Sequence, residues 1–452
     1  MPVFDPLELA AWSEGSWLAA PPRRVTGFSN DTRLLRAGDA FVALPTSRRD
    51  GHDFLADARA RGAACALVSR PVDDPLPQLR VDATLPALGR VASAWRDRLR
   101  FPVLGITGSV GKTSSKEMLR AVLGPRCHAT AANLNNVLGV PLSLLAADPE
   151  LHDAAVIEVG MSEPGELGAS AAVVRPDLAI VTAVRAVHLA GVGSLAGIAR
   201  EKAELVRHLA PGGEAYVPAE LLAHAPFAAL APRLVALAGP REDPAVAPRR
   251  VARLSLAPDG AGWRAEVADP ALGEIALALG PLSEGQARNA ALVALAARRA
   301  GIPAAAVASA LATWSPLPGR GSVHLDAGRE IHVDCYNASP ASLADAAAAF
   351  ARRTRGPRLL VIGGMAELGV DSRRLHAEAG AALPLGPGDR VLAFGGDADA
   401  LAAACGGQVA PDLAAVAAAI AAHPGPVLVK GSRAHALERA LPVAVRSAVS
   451  FH

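Results

Sequence analysis

One run of seven residues, Thr107-Gly108-Ser109-Val110-Gly111-Lys112-Thr113, limits the folds open to this chain more than any other feature. It follows an apolar segment over 103–106 and precedes a helix predicted over 113–123. A glycine-rich turn between a strand and a helix lets backbone N–H groups close around an anion at the positive helix N-terminus. In that setting Lys112 holds the β- and γ-phosphates of a nucleoside triphosphate and the Thr113 hydroxyl binds Mg2+. The loop is a short form of the full phosphate-loop pattern, whose first glycine position is held here by Ile106.

Around that loop the chain divides into three blocks, as its 452 residues lead one to expect. The first, 1–100, has short apolar strands over 40–44 and 64–68 and an amphipathic helix over 85–99. It is predicted to be a small mixed α/β N-terminal domain. The second, 101–314, has buried strands over 103–106, 154–159 and 178–182 alternating with helices, the pattern of a parallel sheet covered on both faces. This is the central doubly wound ATPase domain that carries the phosphate loop. Its polar stretch over 250–278 reads as a small antiparallel insert, and its helix over 287–300 stops at Gly301-Ile302-Pro303. The third, 315–452, repeats the alternation with strands over 331–334, 359–362, 391–394 and 427–429, which predicts a Rossmann-like α/β C-terminal domain. Ligands of such sheets sit beyond the carboxyl ends of the strands.

Composition removes several classes. The net charge is +2 and the arginines are scattered, against the clustered cations of a nucleic-acid surface. The first fifteen residues carry Asp5, Glu8 and Glu14 without the apolar stretch of a secretory signal. No run reaches the ~18 apolar residues that span a bilayer. Cys65, Cys127, Cys335 and Cys405 lie far apart, without the spacing of a zinc or redox pair, and read as small buried hydrophobes. A cytoplasmic protein, monomeric, without nucleic-acid or membrane partners, is the expectation.

Glu158 ends an apolar strand, an unusual place for a carboxylate with only a structural role. Beside a phosphate loop it has the chemistry of a magnesium ligand. His188 and Lys202, taken alone, are an ordinary loop histidine and a solvated helix lysine. Their context is more specific. The loop is followed in order by Asn133-Leu134-Asn135-Asn136-Val137-Leu138-Gly139, Val156-Ile157-Glu158-Val159-Gly160-Met161, Asp177, His188-Leu189, Gly193-Ser194-Leu195-Ala196 and Glu201-Lys202-Ala203-Glu204. This succession resembles the Mur ligase family and covers nearly the whole chain. Ser29-Asn30-Asp31-Thr32-Arg33 and Asp50-Gly51-His52-Asp53-Phe54 extend the resemblance into the first block. Asp334-Cys335-Tyr336-Asn337-Ala338, Met365-Ala366-Glu367-Leu368-Gly369 and Lys430-Gly431-Ser432-Arg433 extend it into the last.

The resemblance implies an ATP-dependent amide ligase of peptidoglycan precursor synthesis, joining D-alanyl-D-alanine to UDP-MurNAc-tripeptide through an acyl phosphate. It implies that Lys202 becomes carbamylated and joins Thr113, Glu158 and His188 around Mg2+. Asn289 and Arg320 would approach ATP, and Asp334 and Asn337 would meet the nucleotide from the third domain, which also takes the incoming dipeptide. Ser29, Asn30, Thr46 and Asp50 are the candidates for the UDP-sugar. Two positions depart from the family pattern. Its His-Asn-x-x-Asn-Ala is Gly285-Gln286-Ala287-Arg288-Asn289-Ala290 here, and its Gly-Asp-Met-Ala-Glu-Leu-Gly has Gly364 in place of the aspartate. A diaminoacid-adding or folylpolyglutamate-type ligase would share the central block, and a nucleotide-dependent switch would share the loop alone. The first block and Tyr336-Asn337-Ala338 argue against the former, and the lack of a guanine-reading Asn-Lys-x-Asp against the latter.

Overall fold

A computed structural model describes residues 2–47, 49–186 and 189–449. Contacts along the chain gather into two compact units, one of residues 1–107, 123–180 and 201–215, the other of 108–122, 181–200 and 216–452.

The first unit holds β1 (Ser16–Trp17), β2 (Gly27–Ser29), β3 (Asp39–Val42), β4 (Cys65–Val68) and β5 (Gln78–Arg80), in the spatial order β1-β5-β4-β3-β2. All neighbouring pairs are parallel except β1–β5. Phe41, Ala43, Ala66 and Val68 bury one face of this sheet against Leu55 and Ala58 of the helix Leu55–Ala60. The unit also holds β6 (Val103–Thr107), β7 (Cys127–Ala129), β8 (Ala154–Glu158) and β9 (Leu178–Val181), side by side in the order β9-β6-β8-β7. β6, β8 and β9 are buried along their whole length, which explains their uninterrupted apolar sequences. Register places Ile106 beside Glu158. Asp177 has a structural role: its Oδ2 accepts from the Val103 amide and from Arg96, both at 2.8 Å.

β10 (Glu214–Pro218) straddles the division. In the second unit β11 (Leu234–Ala238) pairs in parallel with β12 (Arg250–Asp259), which continues as an antiparallel meander through β13 (Gly262–Asp269) and β14 (Gly273–Leu279). This is the insert expected from sequence. A six-stranded sheet comes next, made of β15 (Ser322–Asp326), β16 (Arg329–Asp334), β17 (Leu359–Gly363), β18 (Arg390–Phe394), β19 (Gln408–Val409) and β20 (Val427–Lys430). Its order is β15-β16-β20-β17-β18-β19, parallel apart from the β15–β16 hairpin. Val361, Val427 and Val429 pack on one face, and Leu360, Ile362 and Leu428 on the other, so this sheet is covered on both sides.

Two helices of this unit begin on reciprocal caps. Glu284–Arg299 starts three residues earlier than its apolar pattern suggests, because Ser283 and Gln286 form a capping box. Pro340–Arg353 starts the same way, on Ser339 and Ser342. Arg352 fastens the second helix to the meander: its guanidinium lies 4.2 Å from the Trp263 ring centre and donates to the Gly262 and Leu282 carbonyls.

Candidate active site

The phosphate loop can form only with glycine at two points. Gly108 has φ +150°, and a Cβ there would lie 1.8 Å from Thr182 Oγ1. Gly111 has φ +83°, and a Cβ there would lie 2.3 Å from Asn289 Nδ2. The loop is pinned from the chain after β9: the Ser109 amide donates to the Ala183 carbonyl at 2.9 Å, Ser109 Oγ to the Arg185 carbonyl, and Thr182 Oγ1 to the Val110 carbonyl. The helix Lys112–Leu123 begins at the loop's lysine, so the preceding amides gather at a positive helix end. Lys112 Nζ turns back to the Gly108 carbonyl at 2.8 Å, across the concave side of the loop. Thr107 and Thr113 are buried at either end.

Asn289, expected near ATP, is buried with its amide against Gly111. Arg320 stacks its guanidinium 3.6 Å from the centre of the Tyr336 ring, and its carbonyl accepts from Gln286 Nε2 at 3.4 Å. Asp334, at the carboxyl end of β16, pairs with Lys430 at 2.8 Å; the same ammonium donates to the Asn337 carbonyl at 3.0 Å. The loop from Gly108 onward, Asn289, Arg320, Asp334 and Asn337 all belong to the second unit. Sequence reasoning gave no function to Tyr336, Gln286 or Lys430. The capping signal Ser-x-x-Gln at 283–286 is local and could have drawn attention to Gln286.

In the first unit Glu158 is only 2% exposed at the end of β8. Its Oε1 accepts from Asn135 Nδ2 at 2.8 Å and its amide donates to Thr130 Oγ1 at 3.0 Å. Asn135 is therefore an orienting partner that sequence alone left without a role. Lys202, on the helix Leu195–Arg207, is 1% exposed, which replaces the solvated lysine of the default reading. His188 lies outside the described residues. Among the described residues, no group of three or more His, Cys, Asp and Glu side chains gathers as a metal set. Within this unit Glu158 is a buried oxygen donor of the kind that binds a hard cation such as Mg2+.

The four UDP-sugar candidates are partly engaged in turns. Ser29 Oγ accepts from the Asp31 amide, and Thr46 Oγ1 from the Arg49 amide, while Asn30 is exposed. Asp50 caps the turn Gly51–Phe54 through the His52 amide, and it also holds the His52 ring at 2.6 Å and Arg70 at 3.0 Å. These partners, the His52 amide foremost, hold its carboxyl well below the usual carboxylate range.

The departure at Gly285 has a structural counterpart. Asp345 of the helix Pro340–Arg353 accepts from the Gly285 amide at 3.0 Å, and a Cβ at position 285 would lie 2.8 Å from Asp345 Oδ2. The carboxylate occupies the room that a side chain would need. Burial raises its pKa, opposed by the Ser283 side chain and the Gly285 amide. Gly285→His is expected to destabilise the chain by about 1–3 kcal/mol through overpacking. Combining it with Asp345→Ala should recover most of that loss. Chemical denaturation of the two variants checks this.

A family model of the Mur ligase middle domain matches residues 106–235, and one of the Mur ligase glutamate ligase domain matches 319–433. The UDP-N-acetylmuramoyl-tripeptide–D-alanyl-D-alanine ligase of Escherichia coli is 35% identical over 420 residues, 91% of each chain. The crystal structure of MurF from Acinetobacter baumannii superimposes with a TM-score of 0.88 at 28% identity, covering 99% of both chains. MurF from Thermotoga maritima, solved with ADP, gives 0.79 at 26% identity over 94% of this chain and 98% of its own.

Proposed function

The chain belongs to the Mur ligase family, and from that premise we propose that it joins D-alanyl-D-alanine to UDP-MurNAc-tripeptide with cleavage of ATP to ADP and phosphate. The observation that carries the reading is the coincidence of a phosphate loop backed by Asn289 with near full-length similarity to ligases of that name.

The chemistry follows from charge. The terminal carboxylate of the tripeptide attacks the γ-phosphorus of ATP, forming an acyl phosphate and releasing ADP. The dipeptide amine then attacks the acyl carbon, the carbon–oxygen bond to phosphate breaks, and phosphate leaves with the amide formed. Transfer of this kind depends on positioning and charge neutralisation rather than on a protein nucleophile. The loop amides and Lys112 hold the phosphates and lower the repulsion between triphosphate and carboxylate. Asn289, Arg320, Asp334 and Asn337 position the nucleotide. The first block, 1–100, takes the UDP-sugar through Ser29, Asn30, Thr46 and Asp50; residues 101–314 hold ATP and 315–452 the dipeptide. Thr113, Glu158, His188 and a carbamylated Lys202 would hold Mg2+, which supplies charge neutralisation at the transferred phosphoryl group.

ADP release should require ATP, the tripeptide precursor and D-alanyl-D-alanine together. Equal release without the dipeptide, or with a diamino acid in its place, would point to a different ligase.

A further inference from the structure

At Gly364, where the family pattern has an aspartate, an added Cβ would meet the Gly395 carbonyl oxygen at 2.7 Å and the His435 ring at 2.8 Å. β17 ends at Gly363 and β20 at Lys430, and the two strands are parallel neighbours. After β17 the chain passes through the helix Ser372–Ala381 toward β18. After β20 it turns the other way, and the helix Val443–Ala448 packs at β15. The crevice beyond β17 and β20 is therefore the topological switch point of this sheet, the place where open α/β sheets bind ligands.

His435 stands in that crevice. A Cβ on Gly364 would lie 2.8 Å from His435 Nε2, and one on Gly395 2.5 Å from Nδ1. Its ring meets Phe394 edge to face at 6.3 Å. The ring thus lies over two backbone glycines, Gly364 and Gly395, neither of which could carry a side chain beside it without displacement. It is half-buried, with one side left to solvent. Neighbouring backbone is tied down around it: the Ser432 amide donates to the Gly364 carbonyl and Ser432 Oγ accepts from the Ala366 amide at 2.9 Å. Other ionisable groups on the surrounding segments are His376, Glu367, Asp397 and the ion pair Arg433–Glu438.

Resting on the function proposed above, we propose that His435 replaces the absent Gly364 carboxylate as the group that receives the ammonium of the incoming dipeptide and takes one of its protons. The α-amino group of a peptide has a pKa of about 7.7–8.0, so near neutral pH it arrives mostly as an ammonium without a nucleophilic lone pair. Transfer of one proton to a neutral imidazole frees that pair for attack on the acyl carbon; the second N–H proton leaves with the departing phosphate. Burial, followed by the neighbouring His376, lowers the His435 pKa below the ordinary histidine value, with the Gly364 backbone pulling it partly back. The ring is then neutral at the pH of the reaction, as a proton acceptor must be.

The test is His435→Gln, which keeps much of the ring's bulk and polarity. Expected is a loss of about a hundredfold in kcat/KM for D-alanyl-D-alanine, with KM for ATP and trapping of the acyl phosphate from tripeptide unchanged. In the wild type kcat/KM for the dipeptide should fall as pH drops through the His435 pKa, and in the variant that acid limb should move up to the pKa of the free amine, about 7.7–8.0. His435→Ala should be partly rescued by added imidazole, which returns a proton acceptor. An unchanged kcat/KM and an unchanged acid limb in folded His435→Gln would overturn the proposal. Failure of the wild type to use D-alanyl-D-alanine at all would instead overturn the functional reading on which it rests.

Discussion

Lys112→Ala reduces ATP-dependent ligation by at least about a thousandfold, while the variant melts close to the wild type. The large effect and the small one have separate causes. In the folded chain Lys112 contributes a hydrogen bond, from Nζ to the Gly108 carbonyl at 2.8 Å, on a partly exposed side chain. Losing such a bond costs about 1 kcal/mol. On the proposed function the same ammonium would face the β- and γ-phosphates while a carboxylate approaches, and its charge would count most where repulsion peaks. The neighbouring side chains cannot substitute: Ser109 and Thr182 are occupied in holding the loop's backbone, and Gly108 and Gly111 have no room for side chains. Coupled measurement of ADP release, beside a thermal melt, checks both halves. Wild-type turnover by the variant would remove the loop from the chemistry.

Elements whose signal is local were legible in the sequence. The phosphate loop, the buried strands β6, β8 and β9, the antiparallel meander and the parallel strands of the last sheet all follow from runs and periods within a few residues. Glu158 was legible too, since a carboxylate closing an apolar strand is conspicuous on its own. What remained hidden lies in pairs separated along the chain. Asp345 meets the Gly285 amide across 60 residues, and His435 meets Gly364 across a comparable gap. Each glycine reads in sequence as a lost side chain; only the fold shows a side chain from a distant helix or loop packed beside it. Asn135 is a third case, because its contact with Glu158 depends on how the 130–139 segment crosses the end of β8. Turn residues carry a second duty that the sequence does not show. Ser29, Thr46 and Asp50 drew attention as polar loop positions, and each commits hydrogen-bonding capacity to its own turn.

Lys202→Ala is the second variant expected to lose activity heavily, by at least about a hundredfold, and a small carboxylate should partly restore it. The side chain is 1% exposed, among the largest fully buried in the molecule. On the proposed modification, attack of the Lys202 amine on CO2 would form a carbamate with release of one proton, turning the end of the side chain into an anion with two oxygens. Acetate offers the same oxygens, and the alanine variant leaves a cavity to admit it. Lys202→Met fills that cavity with an apolar chain of similar length. It should therefore be as inactive as the alanine variant, at least as stable, and unresponsive to acetate. Labelled bicarbonate should enter the wild type at Lys202 and neither variant, read by carbon NMR or by mass spectrometry under conditions that preserve carbamates. Incorporation elsewhere, or rescue of the methionine variant by acetate, would leave Lys202 as a packing residue and move the anion to another side chain.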